Sequence, residues 1–392
     1  MNIKSIQHLD FEISSICNAG CTVCSRRRFG HYGNFEHTYW SINDVVDTID
    51  IDIITNLKTL TLCGNFGDPM GNPDVVEIIK YFIRLNPKIA VNINTNGGIG
   101  NSNDYEELGK LGVQIMFGLD GIGEKNELYR VNVKWDNILK NINSFTKYCQ
   151  KEKLFIQFLM WSETTDQIIP MIDFIKSLGK GNLLLKKPFS NGGKISVHNM
   201  KSELTHFLTE IKNEEYTPFY DTIWKFDDLE KLKNTLPSIP VKELEIGDFK
   251  KSQELKGTSK VYERTDYNFT QNEINNFDLI KKQTCYSKNY SNPSDLKSDD
   301  YHLFITYNKM IMPCCLIPPN ISISMNYSDG FENSFQKEIL NKMLDLGFDS
   351  FSLKGKKLKE VLETNILDKF IYNDLGSGNE LKVCKINCGK CE

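Results

Sequence analysis

Up to about residue 190, short apolar runs of strand length alternate with stretches whose apolar residues recur at helical spacing. IQHLDFEIS (6–14) and KTLTLCG (58–64) read as strands, and the second ends in a loop, Asn65–Asp68. Asn72-Pro73-Asp74 then predicts a helix start. Asn72 caps it, and Pro73 sits in the first turn, where a missing N–H costs nothing. Val75, Val76, Ile79, Phe82 and Ile83 follow at helical spacing. KIAVNINTNGG (88–98) reads as a strand and turn, DYEELGKLG (104–112) as a short helix, VQIMFGLDG (113–121) as a strand and WDNILKNINSFTKYCQ (135–150) as a helix. LFIQFLMW (154–161), IIPMIDFIKSLG (168–179) and NLLLKKPF (182–189) continue the pattern. Such alternation predicts a parallel sheet wrapped by helices. About six βα units fit, fewer than the eight of a closed barrel. The expected fold class is therefore α/β, an open partial (β/α)6 barrel over 1–190 whose lateral gap would admit a bulky substrate.

Past residue 190 the pattern weakens. MKSELTHFLTEIKN (200–213) predicts an amphipathic helix with Leu204, Phe207, Leu208 and Ile211 on one face and a solvated His206 off it. FDDLEKLKNTLP (226–237) and VKELEIGDFKKSQELKG (241–257) are charged and weakly patterned. SNGGK (190–194) lacks the flanks of a phosphate loop. Residues 191–280 read as a connector with helices and substrate-side loops. YHLFITYNKMIMPCC (301–315) predicts a β-hairpin with Asn308-Lys309 at the turn, inside a small α+β cysteine-rich unit over 281–392.

Composition narrows the function. The 392 residues suit about two or three domains. Hydrophobic content of 40% allows a sizeable core. Net charge is −4 without a polybasic block, so no nucleic-acid backbone binding is expected. No apolar run is long enough to span a bilayer. The start, MNIKSIQHLDFE, lacks the charged and apolar regions of a signal peptide. The expected location is the cytoplasm, away from membranes, where thiols stay reduced. Eleven cysteines in that setting argue for metal. Cys149 shares an apolar helix stripe with Ile142 and Phe145 and is assigned to the core. Cys63 at a strand end reads as a small core residue, with hydrogen-atom donation as the alternative.

Candidate chemistry starts at CNAGCTVC, where Cys17, Cys21 and Cys24 have the spacing C-x3-C-x2-C. Three thiolates this close suit three irons of one cubane cluster and leave the fourth iron open to a small molecule. Full ligation by four cysteines suits plain electron transfer. A zinc loop is the alternative, with His31 or His37 as its fourth ligand.

The triplet resembles the radical S-adenosylmethionine (SAM) superfamily, in which SAM chelates the open iron through its amino and carboxylate groups. Further strings carry the resemblance over about residues 8–180. GNFGDPMGNPD (64–74) is similar to the superfamily's G-x-G-E-P-L-L-N-P-D stretch, which implies that Gly67, Asp68 and Pro69 receive the SAM amino group. NTNGG (94–98) is similar to its T-N-G, which implies that Thr95 and Asn96 lie near the ribose. FGLDG (117–121) with LYR (128–130) resembles S-L-D-G … H-D-x-x-R, which implies that Arg130 meets the SAM carboxylate as a fork meets its anion. Departures are Asp68 for the usual Glu, Val23 for the aromatic residue before the third cysteine, and Gly118 for the serine.

The second cysteine set is Cys285, Cys314-Cys315, Cys384, Cys388 and Cys391. It resembles the SPASM or twitch module, an auxiliary [4Fe–4S] extension of these enzymes. The resemblance implies Cys285, Cys314, Cys388 and Cys391 as ligands of one auxiliary cluster, with Cys315 or Cys384 as substitutes. A four-cysteine zinc knuckle is the alternative, and the hairpin turn lacks the usual glycine. The implied activity is reductive cleavage of SAM to a 5′-deoxyadenosyl radical, followed by hydrogen abstraction from a small metabolite or a peptide. The outcome would be a two-electron oxidation or a crosslink, driven by an external one-electron donor such as flavodoxin or ferredoxin. The sixteen residues before Cys17 imply no N-terminal leader-peptide domain, which weighs against a peptide maturase without excluding it. A non-catalytic iron–sulfur or zinc protein is the remaining class.

Overall fold

The predicted strands form and pair in chain order. The computed structural model describes residues 5–21, 24, 37–188, 194–198, 205–209, 218–219, 221–236, 301–313 and 335–370. Strands β1 (Ile6–Phe11), β2 (Thr59–Leu62), β3 (Ala90–Thr95), β4 (Gln114–Gly118), β5 (Leu154–Leu159) and β6 (Asn182–Lys186) lie side by side, all parallel. Parallel neighbours need crossover connections. Helices α1 (Ile42–Thr48), α2 (Ile51–Asn56), α3 (Val75–Leu85), α4 (Ser102–Lys110), α5 (Trp135–Thr146) and α6 (Ile168–Ser177) supply them. This is the expected six-strand α/β arrangement.

Strand alternation sorts the two faces. Leu9 and Phe11, Leu60 and Leu62, Val91 and Ile93, and Ile115 and Phe117 are buried in one core with Val75, Ile78, Ile79 and Phe82 of α3. Each such side chain stabilises the fold by roughly 1.5–3 kcal/mol. His8, Asp10 and Glu12, Thr59 and Thr61, and Asn92 and Asn94 occupy the alternate, polar positions. The apolar face thus fixes the register, and the polar face is left for function.

Several expectations shift. Helix α3 starts at Val75, after Asp74, and Asn72 does not cap it. The Asn72 amide instead donates to the Ile13 and Trp40 carbonyls at 3.0 and 2.9 Å, and its oxygen accepts the Asp74 N–H at 2.8 Å. Within 200–213, residues 205–209 are not helical. β8 (Thr205–Thr209) pairs antiparallel with β7 (Lys194–His198). Their β-branched residues suit a ladder better than a helix, and a ladder partner lies just upstream in KISVH. Farther on, β9 (Thr222–Trp224) pairs antiparallel with β6, and α7 (Leu229–Thr235) buries Leu229 and Leu232 beside α6.

The C-terminal hairpin forms as expected from β10 (Tyr301–Ile305) and β11 (Ile311–Met312). Its placement is new: β10 pairs parallel with β1, so the hairpin extends the same sheet. At the turn, Lys309 takes φ = 64° where glycine is usual. Its ammonium pairs with Asp44 and lies 5.3 Å from the Trp40 ring centre, which helps offset the strained backbone. The Trp40 indole N–H donates to the Thr306 carbonyl at 3.1 Å. Helices α8 (Phe335–Asp345), α9 (Leu358–Glu363) and α10 (Ile366–Phe370) add Ile339, Met343, Leu358 and Leu367 to the main core. Among the described residues, no helix is long and apolar enough to cross a membrane.

Candidate functional site

The strings singled out in the sequence meet at the C-terminal ends of β1 to β4. Ions and ligands commonly collect at this end of a parallel sheet. The cysteine loop leaves β1 and is tied to three other exits. Its Ile16 carbonyl accepts the Asp68 N–H at 2.8 Å. The Asn18 side chain donates to the Gly98 carbonyl at 3.0 Å and accepts from Asn96 Nδ2 at 3.0 Å. The Gly20 N–H reaches the Val131 carbonyl at 2.7 Å. Glycine is required at 67, because a Cβ there would lie 1.9 Å from the Ser14 carbonyl oxygen.

The thiols sit in distinct surroundings. Cys17 Sγ accepts from the Ala19 N–H at 3.4 Å and from Asn96 Nδ2 at 3.5 Å. Cys24 Sγ lies 4.0 Å from the Asn65 carbonyl oxygen. Cys21 is buried with Tyr129, Val131, Leu159 and Trp161. Burial pushes its thiol up to about 11, and the nearby Arg130 charge pulls the other way. Among the described residues, no three His, Cys, Asp or Glu side chains converge on a single-ion site. A four-iron cube, which spreads its thiolates apart, does not require such convergence. The set also fits the cube in its donors: N–H groups aim at Cys17, and hydrogen bonds to sulfur tune such clusters. Beside Cys21, the buried Trp161 Nε1–H has no acceptor among the described residues.

Asp68 is buried at the head of a short 3₁₀ turn, Pro69–Gly71. Its carboxylate accepts the Met70 N–H at 3.0 Å, the Thr95 hydroxyl at 2.8 Å and the Asn96 N–H at 2.8 Å. Burial raises its pKa, and these donors oppose the rise. Asp68, Thr95 and Asn96 are therefore joined to one another, and the Asp68 side chain braces two loops. Arg130 Nε donates to the fully buried Asp120 at 2.7 Å, and Asp120 also accepts the Leu159 N–H at 2.7 Å. The guanidinium lies over Gly118, where a Cβ would stand 2.7 Å from Nη2. The glycine in place of serine is thus what admits the arginine head.

Glu12, Asn18 and Asp120 escaped notice in the sequence. Asn18 and Asp120 lie inside the quoted strings CNAGC and FGLDG. Glu12 left one signal, the second of two acids in the strand-like run HLDFEIS. Its carboxyl is fully buried and accepts the Phe66 N–H at 2.7 Å. Cys285, Cys314, Cys315, Cys384, Cys388 and Cys391 lie outside the described residues, as do Val23 and His31. His37 is exposed.

Residues 11–175 match the profile of the Radical SAM superfamily. That segment is therefore similar to the radical SAM superfamily, whose enzymes use a [4Fe–4S] cluster and SAM. No curated protein matches the sequence. Among solved structures, Streptococcus suis SuiB bound to S-adenosylmethionine is similar at 17% identity and a TM-score of 0.44, over 80% of this chain. This chain spans 60% of that one. His-tagged anSMEcpe with bound AdoMet is similar at 16% identity and a TM-score of 0.48, over 94% of this chain and 80% of that one. Native anSMEcpe with AdoMet and the Cp18Cys peptide is similar at 15% identity and a TM-score of 0.48, over 93% and 82%.

Proposed function

We propose that this chain is a radical SAM oxidoreductase or maturase that acts on a small metabolite or a peptide, ending in a two-electron oxidation or a crosslink. The observation that carries this reading is the hydrogen-bonded meeting of Ile16, Asn18 and Gly20 around Cys17 with Asp68, Asn96 and Val131 at one end of the sheet. When bound, the cluster and SAM supply a 5′-deoxyadenosyl radical that removes a hydrogen atom from the substrate; the hard chemistry is the cofactor's.

The chain's residues bind and orient. Cys17, Cys21 and Cys24 hold the cluster. Gly67, Asp68 and Pro69 shape the rim for the SAM amino group, with backbone as the contact and the Asp68 side chain as the brace. Thr95 and Asn96 serve the ribose side. Arg130 spends its Nε on Asp120, and its terminal nitrogens are the partners for the SAM carboxylate. An auxiliary [4Fe–4S] cluster on Cys285, Cys314, Cys388 and Cys391 completes the reading. It is supported by the hairpin, whose second strand ends at Met312, directly before Pro313-Cys314. The first electron comes from a flavodoxin or ferredoxin.

The test is anaerobic incubation of the reconstituted protein with SAM, a reductant and a panel of peptides and metabolites, followed by mass spectrometry. A product two hydrogens lighter, formed in step with 5′-deoxyadenosine, is expected for one class. A panel member modified without any 5′-deoxyadenosine contradicts the reading.

A further inference from the structure

Glu12 is a fully buried ionisable group that the reading above leaves without a task. It stands at the exit of β1, where its own N–H donates to the Ile305 carbonyl at 2.8 Å. Its Oε1 accepts the Phe66 N–H at 2.7 Å, and its Oε2 faces the Tyr307 N–H at 3.4 Å. The N–H groups of Asn65 and Gly67 also favour its charged form. Successive backbone N–H groups curled around one anion form a nest, and here the anion is a side chain of the same chain. The Phe66 and Tyr307 rings meet edge to face, with centres 5.5 Å apart.

One carboxylate therefore grips two segments far apart in sequence. On one side is the loop from Gly64 to Asp68, whose Asn65 carbonyl lies near Cys24 and whose Asp68 N–H is bonded to Ile16. On the other is the hairpin turn, seated by Trp40 on Thr306 and by β10 on β1. An apolar residue at 12 would fill the space and take away the acceptor that the Phe66 and Tyr307 N–H groups use here, at the cost of those bonds. Packing alone does not explain an acid here.

We propose that Glu12 is a positioning residue that makes the 64–68 loop and the hairpin turn at Tyr307 one cooperative unit, so that the loop's shape depends on the seating of the C-terminal hairpin. The consequence for SAM rests on the proposed function; the coupling itself does not.

The test is amide hydrogen exchange at pH 8 on the full-length protein without added cofactor, comparing wild type with Glu12→Gln. The Phe66 and Tyr307 amides should lose protection together, each by about tenfold, the scale of a hydrogen bond to a charged group. Amides in β3 and α5 should keep theirs, which separates the effect from a general loss of stability. Loss in one segment alone, or in neither, overturns the proposal. A second measurement needs no variant. In wild type under low denaturant, the two amides should open with the same denaturant dependence, and separate dependences overturn the coupling. After reconstitution, the variant's iron at Cys17, Cys21 and Cys24 should be unchanged and its SAM dissociation constant raised about fivefold to tenfold. Unchanged SAM affinity overturns the reach of the coupling to the SAM loop. Failure of wild type to bind SAM defeats the proposed function and leaves the exchange result to decide the coupling.

Discussion

Asp68 and Asp120 each serve two segments with one side chain. The Asp68 carboxylate holds the Met70 and Asn96 N–H groups together with the Thr95 hydroxyl. Asp68→Asn keeps the volume and turns one acceptor into a donor, so it should cost about 1–3 kcal/mol, read by denaturant unfolding without cofactor. At Gly118, an added methyl would press on the Arg130 head. Gly118→Ala should therefore weaken SAM binding several-fold by calorimetry, and an unchanged affinity would detach Arg130 from SAM. Glu12 predicts a pH dependence. Burial lifts its carboxyl from 4.5 to about 7 against the N–H groups of Phe66, Tyr307, Asn65 and Gly67. Between those values the folded chain binds a proton that the unfolded chain has released. Stability from this group is therefore greatest below the lower value and falls as pH rises through the higher one, by on the order of 3 kcal/mol in all. The stability difference between wild type and Glu12→Gln should fall from pH 5 to pH 8. A flat difference contradicts the shift.

At the scale of elements, period and punctuation made the six parallel strands and most of the flanking helices legible, because each is decided by local apolar spacing. The error at Thr205–Thr209 has a physical cause. Leu204, Phe207, Leu208 and Ile211 satisfy a helical stripe, yet a nearby strand offers pairing that periodicity does not reveal. Asn72 looked like a cap because its neighbours were right for one; its bonds to Ile13 and Trp40 depend on tertiary placement. The hairpin at Asn308-Lys309 was legible from its turn. Its docking beside β1 was not, since that register joins segments at opposite ends of the chain. Trp40→Phe tests this docking. It keeps a ring against Phe11 and removes the N–H bond to Thr306. A loss of about 1 kcal/mol is expected, with faster proteolysis at the hairpin. Equal proteolysis would mean that the sheet pairing alone seats the turn.

Across the whole molecule, the site was legible as four short strings and became a site only when the sheet gathered their exits. Cys17, Asp68, Asn96 and Arg130 were each nameable from the sequence. The bonds of Asn18 to Asn96, of Asp120 to Leu159 and of Glu12 to Phe66 were not, because each joins two different strands or their loops. The sheet also has antiparallel strands at both edges, β9 beside β6 and β11 beside β10, so the parallel block is bounded by the segments that lead away from it. Two cysteine sets imply about eight irons per chain after anaerobic reconstitution. Replacing Cys17, Cys21 and Cys24 with Ala should leave roughly half, and zinc in place of iron at the C-terminal set would remove the auxiliary cluster.

The most direct measurement is 5′-deoxyadenosine formation by the reconstituted, reduced protein given SAM. Wild type should form it, and the variant with Ala at Cys17, Cys21 and Cys24 should form none. Iron-loaded, reduced wild type that binds SAM and forms no 5′-deoxyadenosine would contradict the assignment, as would a triple variant that forms as much as wild type.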